Sequence, residues 1–218
     1  CRSLKTVNTK EAAFLKSIGE NAFNGCSSLY DLTLPTTVIR IGDQALGNCS
    51  SLDRFDIPES VESIGKSAFL NCTSLSSIVI PSKISVVDEN TFSGCTSLTS
   101  ASFPETMYAI GYNAFFGCSK LSSVDMPKSM DYLQPMAFMN CSSLSSVTIP
   151  SGIEEISNNA FRGCTSLTTV TLPESVTTIG QEAFSNCKLT AIEFPKSLTR
   201  IGSNAFSFCD WLETVTCT

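Results

Sequence analysis

ISNNAFRGCTSLTTVTLPESVTT, residues Ile156–Thr178, recurs with small changes along almost the whole chain. Reduced to its shared positions the unit reads I-G-x-x-A-F-x-G/N-C-x-S-L-x-x-V-x-L-P-x-x-V-x-x. A fixed period in the range of about 20–50 residues marks a solenoid, propeller or array. Val170 and Leu172 are two apart and share one face of a strand, while Thr169 and Thr171 face the other way. Pro173 ends that strand because it has no N–H for a further ladder bond. Val176 and Ile179 are the next apolar pair. Gly180 follows as a turn residue free to take positive φ. Ala183 to Cys187 then predicts one turn of helix or 3₁₀. A single unit has too few apolar side chains to form a core. It must stack on its neighbours, with successive strands parallel at ~4.8 Å.

Reading outward, the columns hold. The cysteines Cys26, Cys49, Cys72, Cys95, Cys118, Cys141, Cys164 and Cys187 are each 23 residues apart, and Cys209 follows after 22. Cys1 precedes Cys26 by 25, so the first loop bulges near Lys10–Ala13. The aromatic column is Phe23, Leu46, Phe69, Phe92, Phe115, Phe138, Phe161, Phe184 and Phe206. Asp88, Gln134 and Ser157 stand where glycine is usual. Nine units account for most of the 218 residues, which makes residues 1–218 one solenoid and not two globular domains. The chain opens and closes in mid-unit without polar caps, so a fragment of a longer surface protein is expected.

Net charge is −6 with no Lys or Arg run, which argues against a nucleic-acid partner. No apolar run approaches the ~20 residues of a spanning helix. No signal peptide is visible. The chain has no His and no C-x₂-C pair, so neither a metal nor any other cofactor is expected. Without His there is no Ser-His or Cys-His nucleophile, and Glu154 and Glu155, adjacent on a short strand, face opposite ways. The chain therefore reads as no enzyme. Ten of the eleven cysteines share one column, from Cys1 through Cys26 to Cys209, which predicts a reduced, buried ladder. Parallel Cβ vectors are poor disulfide geometry. Cys217 instead replaces the Leu or Ile that precedes Pro. Asn48, Asn71 and Asn140 head Asn-Cys-Ser/Thr sequons, but they share a column with Gly, which points to a tight turn.

The repeat L-x-x-V-x-L-P-x-x-V-x-x-I-G-x-x-A-F-x-G/N-C resembles the BspA-like leucine-rich repeat family over essentially the whole chain. The resemblance implies a leucine-rich-repeat right-handed superhelix. Its parallel β-sheet lies on the concave face, with short strands or 3₁₀ turns on the convex side. It also implies an extracellular or cell-surface setting on bacteria and some protists. Adhesion to host matrix proteins and other cells follows from it as the expected role. No single-residue ligand site belongs to the family motif.

Two surfaces stand out. The outward columns of the main strand, taken as the concave face, are small and hydroxyl-rich, with Asp31, Arg54, Asp56, Asp125 and Glu193 as their charged members. Units five and six bring Tyr108, Tyr112, Phe116, Tyr132, Met136 and Met139 to columns that are mostly polar elsewhere. Contiguous exposed apolar residues can mark an interface, and local repacking around Pro135 is the rival reading. The expectation is a monomeric, non-enzymatic module for protein or cell contact. A structural spacer and a polysaccharide-binding module stay open beside it.

Overall fold

The computed structural model describes residues 1–217, and these form strands and turns without helix. The strands are β1 (Thr6–Asn8), β2 (Ser17–Ile18), β3 (Asp31–Thr33), β4 (Arg40–Ile41), β5 (Ser63–Ile64) and β6 (Ser77–Val79). They continue with β7 (Val86–Val87), β8 (Ser100–Ser102), β9 (Ala109–Ile110), β10 (Tyr132–Leu133), β11 (Ser146–Thr148) and β12 (Glu155–Ile156). The last are β13 (Thr169–Thr171), β14 (Thr178–Ile179), β15 (Ala191–Phe194), β16 (Arg200–Ile201) and β17 (Thr214–Cys217). Every pairing is parallel and joins one unit to the next, as the repeat requires. Strands β1, β3, β6, β8, β11, β13, β15 and β17 make one face. The two-residue strands make a second.

The main strand forms because its period-2 pattern puts one apolar side chain inward. In β11, Val147 is buried between exposed Ser146 and Thr148. Register follows the period, with Val147 opposite Val170. The two extra residues of the first loop are absorbed without slippage, for Val7 still meets Leu32.

The core is a set of one-residue-wide columns. Phe69, Phe92, Phe115, Phe138, Phe161, Phe184 and Phe206 stack in near-parallel order, with ring centroids 5.2–5.7 Å apart. That offset arrangement is what the ring quadrupoles favour. Beside it, each cysteine thiol from Cys49 to Cys209 donates to the carbonyl of the aromatic-column residue one unit back, at 3.1–3.2 Å. That carbonyl also accepts the amide of its own unit's cysteine, as Phe92 accepts from Cys95.

The expected helical turn is replaced by a chain of separate turns. In unit five Ala114 N–H donates to Gly111, Phe116 to Asn113 and Cys118 to Phe115. Propagation stops because two positions per unit are left-handed. The first runs Asn21, Gln44, Ser67, Asn90, Asn113, Met136, Asn159, Glu182 and Asn204. The second runs Gly25, Asn48, Asn71, Gly94, Gly117, Asn140, Gly163, Asn186 and Phe208. Asn and Gly suit this conformation best. It rejects continuation as a right-handed helix.

The glycine of the I-G pair is not one of these positions, contrary to the expectation for Gly180. It serves close approach instead. A Cβ on Gly180 would sit 2.7 Å from Asn158 N, and one on Gly111 would sit 2.8 Å from Asp88 C. Where that glycine is kept, the short strand pairs with the preceding one. Where Asp88 and Ser157 replace it, β5 does not pair with β7 and β10 does not pair with β12. Gln134 is tolerated, since β9 and β10 remain paired.

Candidate functional site

The structure brings the six patch residues together in three pairs across units five and six. Tyr108 and Tyr132 meet edge to face at 6.5 Å, and both are exposed. Tyr112 Oη donates to Met136 Sδ at 3.4 Å across the same pair of units. Phe116 and Met139 are half-buried on adjacent rungs, tied by Gly117 N–H donating to Met139 C=O at 2.8 Å. Met136 takes a left-handed backbone at φ 59°, a conformation costly for a residue of its type.

A local cost accompanies the patch. Asn113 Oδ1 is buried with no partner among the described residues. In other units a donor three residues on engages the equivalent oxygen: Asn24 Nδ2 donates to Asn21 Oδ1, and Arg162 donates to Asn159 Oδ1. Phe116 occupies the column of Asn24 and Arg162 and has no side-chain donor to offer. An unmet buried acceptor costs about 1–3 kcal/mol.

The charged residues of the other face do not converge. Asp31, Arg54, Asp56, Asp125 and Glu193 are all exposed. Arg54 and Asp56, and likewise Asp125, lie on rungs that do not form strand. Shallow openings follow these interruptions, one lined by Asp31, Arg54 and Asp56 and another by Asp125 and Lys128. A wider opening lies on the second face, where β10 and β12 part. It encloses about 590 Å³ and is lined by Asp131, Tyr132, Gln134, Glu154, Glu155 and Ser157, among others; Glu154 precedes β12, so both glutamates border the opening, contrary to the expectation that they face opposite ways.

The cysteine column runs through the core. Cys26 to Cys187 are buried, Cys209 is half-buried, and all eleven thiols are free. Burial pushes Cys49, Cys118 and Cys164 up to about 12, opposed by their bonds to neighbouring backbone. Cys72, Cys95 and Cys141 are raised well above the usual thiol range, first by desolvation and then by neighbouring thiols. Thiols held neutral in this way are poor nucleophiles and poor metal ligands. The sequon residues Asn48, Asn71 and Asn140 hold left-handed turns, and Asn71 Nδ2 donates to Asn48 Oδ1 at 3.1 Å. Among the described residues no cluster of three or more His, Cys, Asp or Glu is placed to hold a metal ion. No described helix is long and apolar enough to cross a membrane.

The model of the BspA type leucine rich repeat region matches six copies of its repeat, over residues 16–145 and 133–218. This chain belongs to the BspA-type leucine-rich repeat family. Among solved structures it is similar to a leucine rich cell surface protein from Faecalibacterium prausnitzii, with 31% identity and a TM-score of 0.59 over 97% of this chain and 46% of that one. A leucine-rich repeat protein from Bacteroides ovatus shares 25% identity with a TM-score of 0.59, covering 93% of this chain and 59% of that one. The T. pallidum leucine rich repeat protein, at 24% identity and a TM-score of 0.62, covers 95% of this chain and 77% of that one and shares the fold. The chain thus spans about half the length of the first two proteins. No curated protein matches it.

Sequence reasoning missed three features of the BspA-type array. The thiols act as hydrogen-bond donors. A second left-handed column precedes Ala. The second face splits at Asp88 and at Ser157. The last two had signals: Asn recurs before Ala, and the glycine lapses at Asp88 and Ser157 mark both splits.

Proposed function

We propose that this chain is a non-enzymatic repeat module of an extracellular or cell-surface protein, and that it makes protein contacts through the aromatic patch of units five and six. The observation carrying this reading is the patch itself. On a scaffold common to nine units, Tyr108, Tyr112, Phe116, Tyr132, Met136 and Met139 stand in columns that are mostly polar elsewhere, and with Phe116 in the column of the donors Asn24 and Arg162 the Asn113 amide oxygen has no partner among the described residues. Folding gains nothing from an orphaned amide, so the departure serves another requirement. Burying such side chains against a partner can contribute ~1.5–3 kcal/mol each. The hydroxyl-rich face offers little beyond single hydrogen bonds. The likeness to a leucine rich cell surface protein supports the setting. Extracellular-matrix proteins are the partner class to test first.

Phe116→Ser with Met139→Ser restores residues that other units use, for the equivalent columns hold Ser93, Ser185 and Ser207. The double variant is expected to fold with an unchanged thermal transition. It should lose at least tenfold in binding to an immobilised panel of matrix proteins. Full retention of binding, or outright unfolding, would place these side chains in the core's service and move the contact to the other face.

A further inference from the structure

Units six and seven part along the face of short strands. In the repeat, the residue two before the isoleucine column donates its N–H to its counterpart one unit back, as Asp131 does to Tyr108 and Thr177 to Glu154. The residue after that column donates to the isoleucine-column residue one unit back, as Gln134 does to Ile110 and Gly180 to Ile156. Between β10 and β12 both bonds are missing. Glu154 and Ser157 N–H have no carbonyl, and Asp131 and Leu133 C=O, which the repeat aims at them, accept nothing among the described residues. Unpaired backbone groups are ordinarily met by some other partner. Here they border the 590 Å³ opening, and Tyr132, 58% exposed, stands at its wall with Tyr108 edge-on behind it.

The chemistry of the opening selects its occupant. Acceptors outnumber donors: two free carbonyls, the six oxygens of the Asp131, Glu154 and Glu155 carboxylates and the Gln134 amide oxygen, against two free backbone amides, the Gln134 NH₂ and the Ser157 and Tyr132 hydroxyls, and every formal charge in the lining is negative. No Lys or Arg lines the opening, and none of the three carboxylates joins an ion pair among the described residues. A guanidinium carries five donors and no acceptor, keeps its charge at all ordinary pH, and stacks flat on an aromatic ring. A neutral glycan would leave the carboxylates uncompensated.

We propose that this cleft seats an arginine side chain of a partner protein, its guanidinium on Tyr132 and among the Asp131, Glu154 and Glu155 carboxylates. The inference deepens the reading of the module as protein-binding and rests on it. It adds a charge-selective subsite beside the apolar patch.

The test is a titration of ¹⁵N-labelled protein at low salt with tetra-arginine, tetra-lysine and maltotetraose, each as a separate probe. Tetra-arginine is expected to shift the amides around Asp131–Gln134 and Gly152–Ser157 and to bind several-fold tighter than tetra-lysine. Asp131→Asn with Glu154→Gln and Glu155→Gln should weaken it at least tenfold. Asp31→Asn with Asp125→Asn and Glu193→Gln removes the same charge from the other face and should stay within twofold. Tyr132→Ala should erase the preference for arginine over lysine. Equal losses in the two triple variants, shifts scattered over the acidic surface, or tighter binding of maltotetraose would overturn the site. Because the amides are nearly isosteric, unchanged thermal transitions separate binding loss from misfolding. If the cleft variants lose the peptide but keep matrix binding, while Phe116→Ser with Met139→Ser loses it, the arginine site is disproved as a partner contact and the patch stands. The opposite result disproves the patch alone.

Discussion

Each ladder cysteine fills a core position and donates a bond at once. Its thiol reaches the carbonyl one unit back, as Cys118 Sγ does to Phe92 C=O at 3.2 Å. Alanine would lose the bond and leave the sulfur's space empty, and serine would bring a more strongly solvated hydroxyl into an apolar column. The same burial sets the pH response. An unfolded thiol ionises near its ordinary value of 9.0, whereas folded Cys49, Cys118 and Cys164 resist ionisation until about 12. The folded state therefore binds more protons in that window. Stability is fully present below pH 9 and falls as pH rises toward 12, by up to about 1.4 kcal/mol per thiol per pH unit. The expected outcome is cooperative alkaline unfolding near pH 10–11, followed by far-UV circular dichroism against a neutral control. Thiol titration without reductant should find eleven in denaturant but only the exposed Cys1 and Cys217 reacting promptly in the native protein. A denatured count near zero would show disulfides where the structure places free thiols.

At the scale of the element, one glycine per unit lets two short strands approach closely, and both places where the strands part, Asp88 and Ser157, lack it, though Gln134 keeps its pairing. The preceding backbone passes within 2.5–2.9 Å of where the Cβ would stand at Gly42, Gly65, Gly111, Gly180 and Gly202. Gly111→Ala is expected to cost about 1–3 kcal/mol, since an inserted methyl must push backbone aside. It should also strip hydrogen-exchange protection from the Tyr108 and Gly111 amides, which bond to Ser85 and Val87. Gly19→Ala is the internal control, because nothing lies within 4 Å of its added Cβ. An equal loss in both variants would show that helix and strand propensity, not close approach, governs the column. The reverse change, Ser157→Gly, should close β10 onto β12 and remove the cleft, seen as new protection at Glu154 and Ser157.

Over the whole molecule, stability passes through interfaces between neighbours. Phe115 stacks on Phe92 and Phe138 with centroids 5.3 Å away on both sides, and Phe103 meets it edge-on at 5.7 Å. Phe115→Ala should therefore destabilise by ~3–5 kcal/mol. Because each unit contacts only its neighbours, the loss should spread to units four and six and fade beyond them. Hydrogen exchange mapped along the chain checks this: faster exchange confined to residues 110–125 would contradict nearest-neighbour coupling.

The parallel stack, the unit register and the buried columns were legible in the sequence, because each follows from a strict period and a face that no unit can bury alone. Cys164 and Phe161 could be placed inside from spacing only, and Thr169 and Thr171 outside. Positions whose role depends on the adjoining unit were not legible. Gly180 read as a flexible turn, yet the tertiary structure gives it a crowding role, since only the stack brings Asn158 N to its α-carbon. The patch residues were named from their departure from the repeat, but the pairing of Tyr112 with Met136 arises between units. The cleft at Tyr132 is the furthest from the sequence. Ser157 is a modest substitution in a one-dimensional list, and the cleft beside it appears only when the strands of units six and seven are set in space.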